Sequence, residues 1–218
     1  MRSVFDEQLG KLNQEMILMG TMAENAIEGA CEALLQHDLA LARDIMSADP
    51  AIDRQERDIE TLCLRMLLMQ QPVARDLRLV SSALKMITDM ERIGDQAADI
   101  AEVVTMLEKT PHLAPPEHIP AMAAEARQMV RRAIDAYVRR DVKLAQQVLE
   151  EDDVVDALFL NVKGELVEQL RNAPGCAMAA LDMLMIAKYL ERIGDHATNI
   201  AEWVQYAVTG LYKGEALT

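Results

Sequence analysis

Glu91-Arg92-Ile93-Gly94-Asp95-Gln96-Ala97-Ala98-Asp99-Ile100-Ala101-Glu102 returns 100 residues later as Glu191-Arg192-Ile193-Gly194-Asp195-His196-Ala197-Thr198-Asn199-Ile200-Ala201-Glu202, with nine of twelve positions identical. A match this long, at close to half the length of a 218-residue chain, marks an internal duplication. The stretch has a helical period. With Glu91 at zero and about 100° per residue, Asp95 falls at about 40°, Asp99 at about 80° and Glu102 at about 20°. Ile93, Ala97, Ile100 and Val104 fall between about 180° and 240°. One face is therefore apolar and the opposite face is a stripe of carboxylates. Like charges at i,i+4 cost roughly 0.2–0.5 kcal/mol per pair on an exposed helix. The chain carries that cost in both copies, so a cation is expected to face the stripe. The plainer alternative is a solvated helix face with Arg92 paired locally to Asp95.

The sequence on either side of the two copies extends the duplication. Leu12, Met16, Met19, Ala23, Ala30 and Leu34 recur at helical spacing and predict a first helix over 4–36. His37-Asp38 interrupts it, and a short helix follows to about Ser47. Asp49-Pro50 then reads as an N-cap followed by proline at the first helical position. It opens a second helix that runs to about Met69 and carries Ile52, Ile59, Leu62, Met66 and Met69. Gln71-Pro72 ends that helix, and a third, over 74–108, carries the first motif. Lys109 to Pro116 holds three of the seven prolines in eight residues and is the one credible linker. The order then repeats: a helix over 117–139, a break at Arg140-Asp141, a short helix, a helix over 153–171, a turn at Asn172–Gly175, and a helix over 177–209 with the second motif. His37 to Ala42 aligns with Arg140 to Ala145 at an offset of 103, and Asp49 and Asp53 align with Asp152 and Asp156 at the same offset. The expected fold class is all-α: two tandem three-helix bundles related by internal duplication, over 1–113 and 114–218.

Composition agrees. Apolar residues make up 51% and aromatics 3%, with 15 Met, so the core must be aliphatic, which suits helix-on-helix packing. The formal charge of −14 and the absence of a Lys/Arg cluster argue against nucleic-acid binding and favour cations or basic partner surfaces. Cys31, Cys63 and Cys176 are odd in number and widely spaced, so they read as small packing residues of a reducing compartment. Met1 to Glu7 carries acids where a signal peptide would be apolar, and no apolar run reaches 18 residues. The expectation is a cytoplasmic protein, peripheral at most to the inner face of a membrane and without a membrane span.

Each half carries two acidic pairs at i,i+4: Asp49/Asp53 and Glu91/Asp95, then Asp152/Asp156 and Glu191/Asp195. Carboxylates one turn apart can hold a cation from one side, and a pair on a neighbouring helix can close the site. Such oxygen-rich sites suit magnesium, manganese, calcium or carboxylate-bridged iron, and zinc less well. Asp99, Glu102 and Glu202 extend the stripes as further candidate ligands, while Asn199 replaces the third acid of the second copy. The helix-cap reading already accounts for Asp49. His196, opposite Gln96, is an alternative compensating ligand, but at about 140° it sits off the stripe and reads rather as a surface histidine. Glu24 and Glu28 align with Arg127 and Arg131 and are excluded as shared ligands. Gly94 and Gly194, mid-helix at roughly 1 kcal/mol each, read as points of close helix approach. Trp203 reads as a core-edge residue. No Glu-x-x-His, phosphate-cradling glycine loop or GxSxG is present, so no enzyme chemistry is expected.

The doubled ERIGD…IAE element, in an acidic helical chain of this length, resembles the PhoU family of accessory and regulatory proteins of phosphate-specific uptake. The resemblance covers nearly the whole chain. It implies the same pair of three-helix bundles and a non-enzymatic negative regulator of phosphate uptake and phosphate-starvation signalling. The implied partners are components of the phosphate ABC transporter and the phosphate sensor histidine kinase. The resemblance also implies multinuclear iron or zinc clusters on the E(D)xxxD motif. By motif match these fall on Glu91, Asp95, Glu191 and Asp195, and by extension on Asp49, Asp53, Asp152 and Asp156. A homodimer is the expected assembly. The alternative reading is a carboxylate-bridged metal-binding bundle with a storage or enzymatic role, against which the missing Glu-x-x-His stands.

Overall fold

The structure, a computed structural model, describes residues 2–216. Six long helices carry the chain: α1 (Arg2–Gln36), α2 (Leu39–Gln70), α3 (Ala74–Leu107), α4 (Ile119–Arg139), α5 (Val142–Asn172) and α6 (Ala177–Thr209). A 3₁₀ turn, Pro174–Cys176, precedes α6, and a small hairpin, β1 (Leu211–Tyr212) and β2 (Glu215–Ala216), follows it. Helices α1, α2 and α3 pack on one another, as do α4, α5 and α6. These are the two tandem three-helix bundles. Their core is continuous and aliphatic, and all six apolar positions predicted along the first helix are buried in it. Met69, expected among the core residues of the second, is instead exposed at the end of α2. Cys63 is buried and Cys31 half-buried, and burial pushes their thiols up to about 12 and about 11. None of the three cysteines is in a disulfide.

The expected break before Pro50 is absent. Helix α2 runs through it, and α5 likewise runs unbroken from Val142. The caps are the earlier acids. Asp38 accepts hydrogen bonds from the backbone N–H groups of Ala40 and Leu41, both at 3.0 Å. Asp141 does the same for Lys143 and Leu144, at 2.9 and 3.1 Å. An interior proline costs about 3 kcal/mol. Here Pro50 lies on the exposed side, while Ala42, Ile52 and Ile59 bury the opposite face and hold the helix together. Asp49 therefore has no capping role and is free for another.

The bundles meet through α3 against α6 and α1 against α4. Arg127 pairs with Glu28 at 2.5 Å, yet Arg127 is the residue aligned with Glu24. Glu24 in turn feels Arg131, which is aligned with Glu28. On the other pair, Asp89 bonds to Asn199, the residue aligned with Asp99, while Asp99 acts on Tyr189, aligned with Asp89. Exchanged pairing of aligned residues is the mark of an approximate two-fold relation between the repeats, with each helix pair antiparallel. Among the described residues no helix is long and apolar enough to cross a membrane.

Candidate metal centre

The first acidic stripe faces α2. A Cβ on Gly94 would lie 2.8 Å from Ile52 Cδ1 and 3.1 Å from its Cγ2, so the glycine is what lets Ile52 seat on α3. That contact brings Asp49 and Asp53, on either side of Ile52, to Asp95, next to Gly94. Among the described residues these three form the one acidic group in which one carboxylate oxygen from each residue lies within 4.8 Å of the others. All three are half-buried. Asp49 Oδ1 is buried without a hydrogen-bond partner. Burial raises the Asp49 pKa, and Asp95, Asp53 and Asp99 raise it further. Glu91 is raised by burial and by Asp95, against Arg92, with Glu56 and Asp53 adding to the rise.

Arg92 is the local cation. Its Nη1 lies 3.1 Å from Asp95 Oδ2 and its Nε 3.5 Å from Glu91 Oε2. The pairing expected of a solvated face is thus present, but Arg92 is mostly exposed, and such pairs contribute about 0–1 kcal/mol. The charges that act on Asp49 are all acids. An orphaned buried carboxylate oxygen and a donor set of hard oxygens fit a cation such as manganese, magnesium or iron. Glu56 belongs to this surface and was not singled out from the sequence. Its signal was there, since Asp49, Asp53 and Glu56 stand at i, i+4 and i+7.

The aligned residues of the second repeat, Asp152 and Asp156 on α5 with Glu191 and Asp195 on α6, also share one surface. Burial pushes Asp152 up to about 6, with Asp195, Asp156, Asp153 and Glu191 adding to the rise. Asp195 is raised by burial and by Glu191, and Lys188 opposes the rise. Gly194 again faces the neighbouring helix, but more loosely: a Cβ there would stand 3.4 Å from Asp152 Oδ1 and 3.5 Å from Val155 Cγ1. A lysine enters this cluster, since Lys188 Nζ donates to Glu191.

The remaining candidates are spread along α3 and α6. Asp99 lies between the first cluster and the bundle interface. Burial, Asp95 and Glu102 raise it, and Arg192 of the other repeat opposes them. Asn199 and His196 both grip Asp89 of α3: Asn199 Nδ2 donates to Asp89 Oδ1 at 3.1 Å, and His196 Nδ1 lies 2.9 Å from the same oxygen. His196 is therefore half-buried in the α3–α6 interface rather than a surface histidine. The helical wheel gave its angle correctly but not the helix packed there. Glu102 is exposed. Glu202 is held by the hairpin, with Lys213 Nζ at 3.0 Å and the Tyr212 hydroxyl donating at 3.4 Å. Trp203, at the core edge as expected, stacks on Tyr212 with ring centroids 4.4 Å apart.

The PhoU domain family model matches residues 16–104 and 119–204, once in each repeat. A phosphate-specific transport system accessory protein PhoU homolog of Clostridium acetobutylicum is 37% identical over 210 residues, covering 96% of each chain. One of Zymomonas mobilis is 39% identical over 206 residues, covering 94% of this chain and 87% of that one. Among solved structures, PhoU from Pseudomonas aeruginosa superposes with a TM-score of 0.88 at 35% identity, over 94% of this chain and 99% of that one. The phosphate transport system regulatory protein PhoU from Streptococcus pneumoniae gives 0.87 at 27% identity, over 95% and 98%.

Proposed function

The chain belongs to the PhoU family, and on that premise we propose that it is a negative regulator of phosphate uptake and phosphate-starvation signalling. It acts without catalysis, as a cytoplasmic adaptor at the inner face of the membrane, on the phosphate ABC transporter and its sensor histidine kinase. The observation that carries this reading is the family match in both repeats, across nearly the whole chain. Relatives of similar length are named as accessory proteins of phosphate-specific transport, and one structural neighbour as a regulatory protein. The surface chemistry supports it: a chain of net charge −14 made of long helices offers extended acidic faces to basic partner segments.

The acidic clusters are the proposed metal sites of this regulator. Asp49, Asp53 and Asp95 hold the first ion, with Glu91 and Glu56 flanking it. Asp152, Asp156, Glu191 and Asp195 form the second site. What a bound di- or trivalent ion supplies is charge neutralisation, which removes the repulsion among carboxylates that are half-buried in the first site and partly exposed, at Asp156 and Asp195, in the second. The protein's own residues do the rest: Ile52 on Gly94 sets the approach of α2 to α3, and Asp49 aims an unpartnered oxygen into the gap.

Deleting the gene in its host is expected to raise phosphatase secretion and phosphate uptake in phosphate-rich medium. Unchanged secretion and uptake there would sink the regulator reading. Elemental analysis of protein purified without an affinity tag, beside Asp95→Asn, tests the metal sites separately.

A further inference from the structure

The rims of the two clusters differ in a concerted way. In the first repeat the rim carries Glu56, Glu60 and Thr88. At the aligned positions, by offsets of 103 for the first two and 100 for the third, the second repeat carries Phe159, Lys163 and Lys188. These residues meet one another within each repeat. Thr88 Oγ1 lies 3.5 Å from Glu56 Oε1, and Glu60 is near enough to raise the Glu56 pKa. In the second repeat Lys188 Nζ and Lys163 Nζ lie 5.6 and 5.5 Å from the centroid of the Phe159 ring. An acidic rim in one copy is thus a cationic rim in the other, built around an aromatic face that attracts ammonium groups.

Lys188 carries this difference into the cluster. Its ammonium donates to Glu191, whose side chain is only 15% exposed, and it acts on Asp195. In the first repeat the same position is a hydroxyl that carries no charge. Resting on the metal reading above, we propose that Lys188, seated on Phe159, is a built-in counter-cation that makes the second cluster the weaker metal site, so that the first cluster fills before the second as metal rises. Glu191 then has two competing partners, the lysine and an ion. An ion entering the second cluster must displace or tolerate the ammonium, whereas at the first it meets only the mostly exposed Arg92 pair beside an acidic rim of Glu56 and Glu60.

The test is titration of the full metal-free chain with Mn²⁺, followed by calorimetry and by the electron paramagnetic resonance of free ion. The wild type is expected to show two classes of site separated by about tenfold or more in affinity, the size of effect that one nearby, partly screened charge produces. Asp195→Asn identifies the weaker class by weakening it. Lys188→Thr is expected to tighten that class by about tenfold, whereas Lys188→Arg leaves it weak. Thr88→Lys tests the reverse and is expected to weaken the tighter class by a similar factor. Thermal melting without metal verifies that each variant is folded. Equal affinities in the wild type, or a weak class that Lys188→Thr does not move, would overturn the proposal while leaving the metal reading standing. No Mn²⁺ uptake at either cluster would overturn both.

Discussion

In the first repeat, Asp49, Asp53 and Asp95 bring three carboxylate oxygens within 4.8 Å of one another, and the charges nearest Asp49 are all negative. In the second repeat, Asp152, Asp156 and Asp195 occupy the aligned places, yet they form no such group among the described residues; the charges acting on Asp152 are again all acids, but Lys188 opposes the charge at Asp195. The helices and the acid spacing are copies, and the glycine contact recurs in a looser form. The residues that differ lie at the rims and at the interface between repeats. Duplication thus supplies the same carboxylate frame twice, and the surroundings decide how strongly each frame demands a cation.

The largest expected difference lies in metal affinity. Asp95→Asn removes one of three converging carboxylates and, under the proposed metal reading, is expected to lower the affinity of the first site for Mn²⁺ by about a hundredfold. Asp195→Asn, in a cluster that is less convergent and partly neutralised, is expected to cost about tenfold. Calorimetric titration of both variants compares the repeats directly. Equal losses would mean that the two frames are equivalent.

The glycines give the next contrast, in stability. Gly94→Ala places a methyl group against Ile52 at 2.8 Å, an overpacking that costs about 1–3 kcal/mol, less about 1 kcal/mol regained from helix propensity. Gly194→Ala meets only ordinary contacts from 3.4 Å outward and is expected to be neutral or to stabilise by up to about 1 kcal/mol. Urea denaturation of the metal-free variants should therefore find Gly94→Ala less stable than Gly194→Ala.

Acid titration separates the frames further. Burial raises Asp152 from 3.8 to about 6, so the folded chain binds that proton more tightly than the unfolded one. Metal-free stability then increases as pH falls from about 6 toward 3.8, and the penalty is full above about 6. Asp152→Asn is expected to raise the melting temperature at pH 7 by on the order of 2 °C, after allowance for solvent screening, and to leave it unchanged near pH 4. Melting curves across that range check the sign.

Much of this was legible in the sequence, and the failures have specific causes. Helices α3 and α6 were bounded correctly because the doubled motif fixed their phase and the segments at Gln71-Pro72 and Asn172–Gly175 stop the preceding helices. Helices α2 and α5 were each read as two because the local signal of Asp49-Pro50 resembles a cap, whereas burial of Ala42, Ile52 and Ile59 on one face outweighs the proline. That misreading also hid the role of Asp49, which was explained as a cap while Asp38 does the capping. Asn199 looked like a lost ligand, but its partner is Asp89 across the interface, a contact that a single-helix wheel cannot contain. The closing hairpin was missed because its strands are two residues each. Its turn, Lys213-Gly214, has positive φ at both residues, 50° and 84°, as a tight two-residue turn requires.

The smallest effect belongs to that hairpin. Lys213→Ala removes the exposed partner of a half-buried Glu202 and is expected to change stability by less than about 0.5 kcal/mol. It should leave Mn²⁺ affinity at both clusters unchanged. A tenfold change at the second cluster would place Glu202 among its ligands after all.

Anomalous diffraction from crystals grown with less than one equivalent of Mn²⁺ tests the central claim most directly. The account predicts a peak bounded by Asp49, Asp53 and Asp95, with little or none beside Asp152 and Asp195. A peak at the second cluster alone, or metal bound away from both stripes, would contradict it.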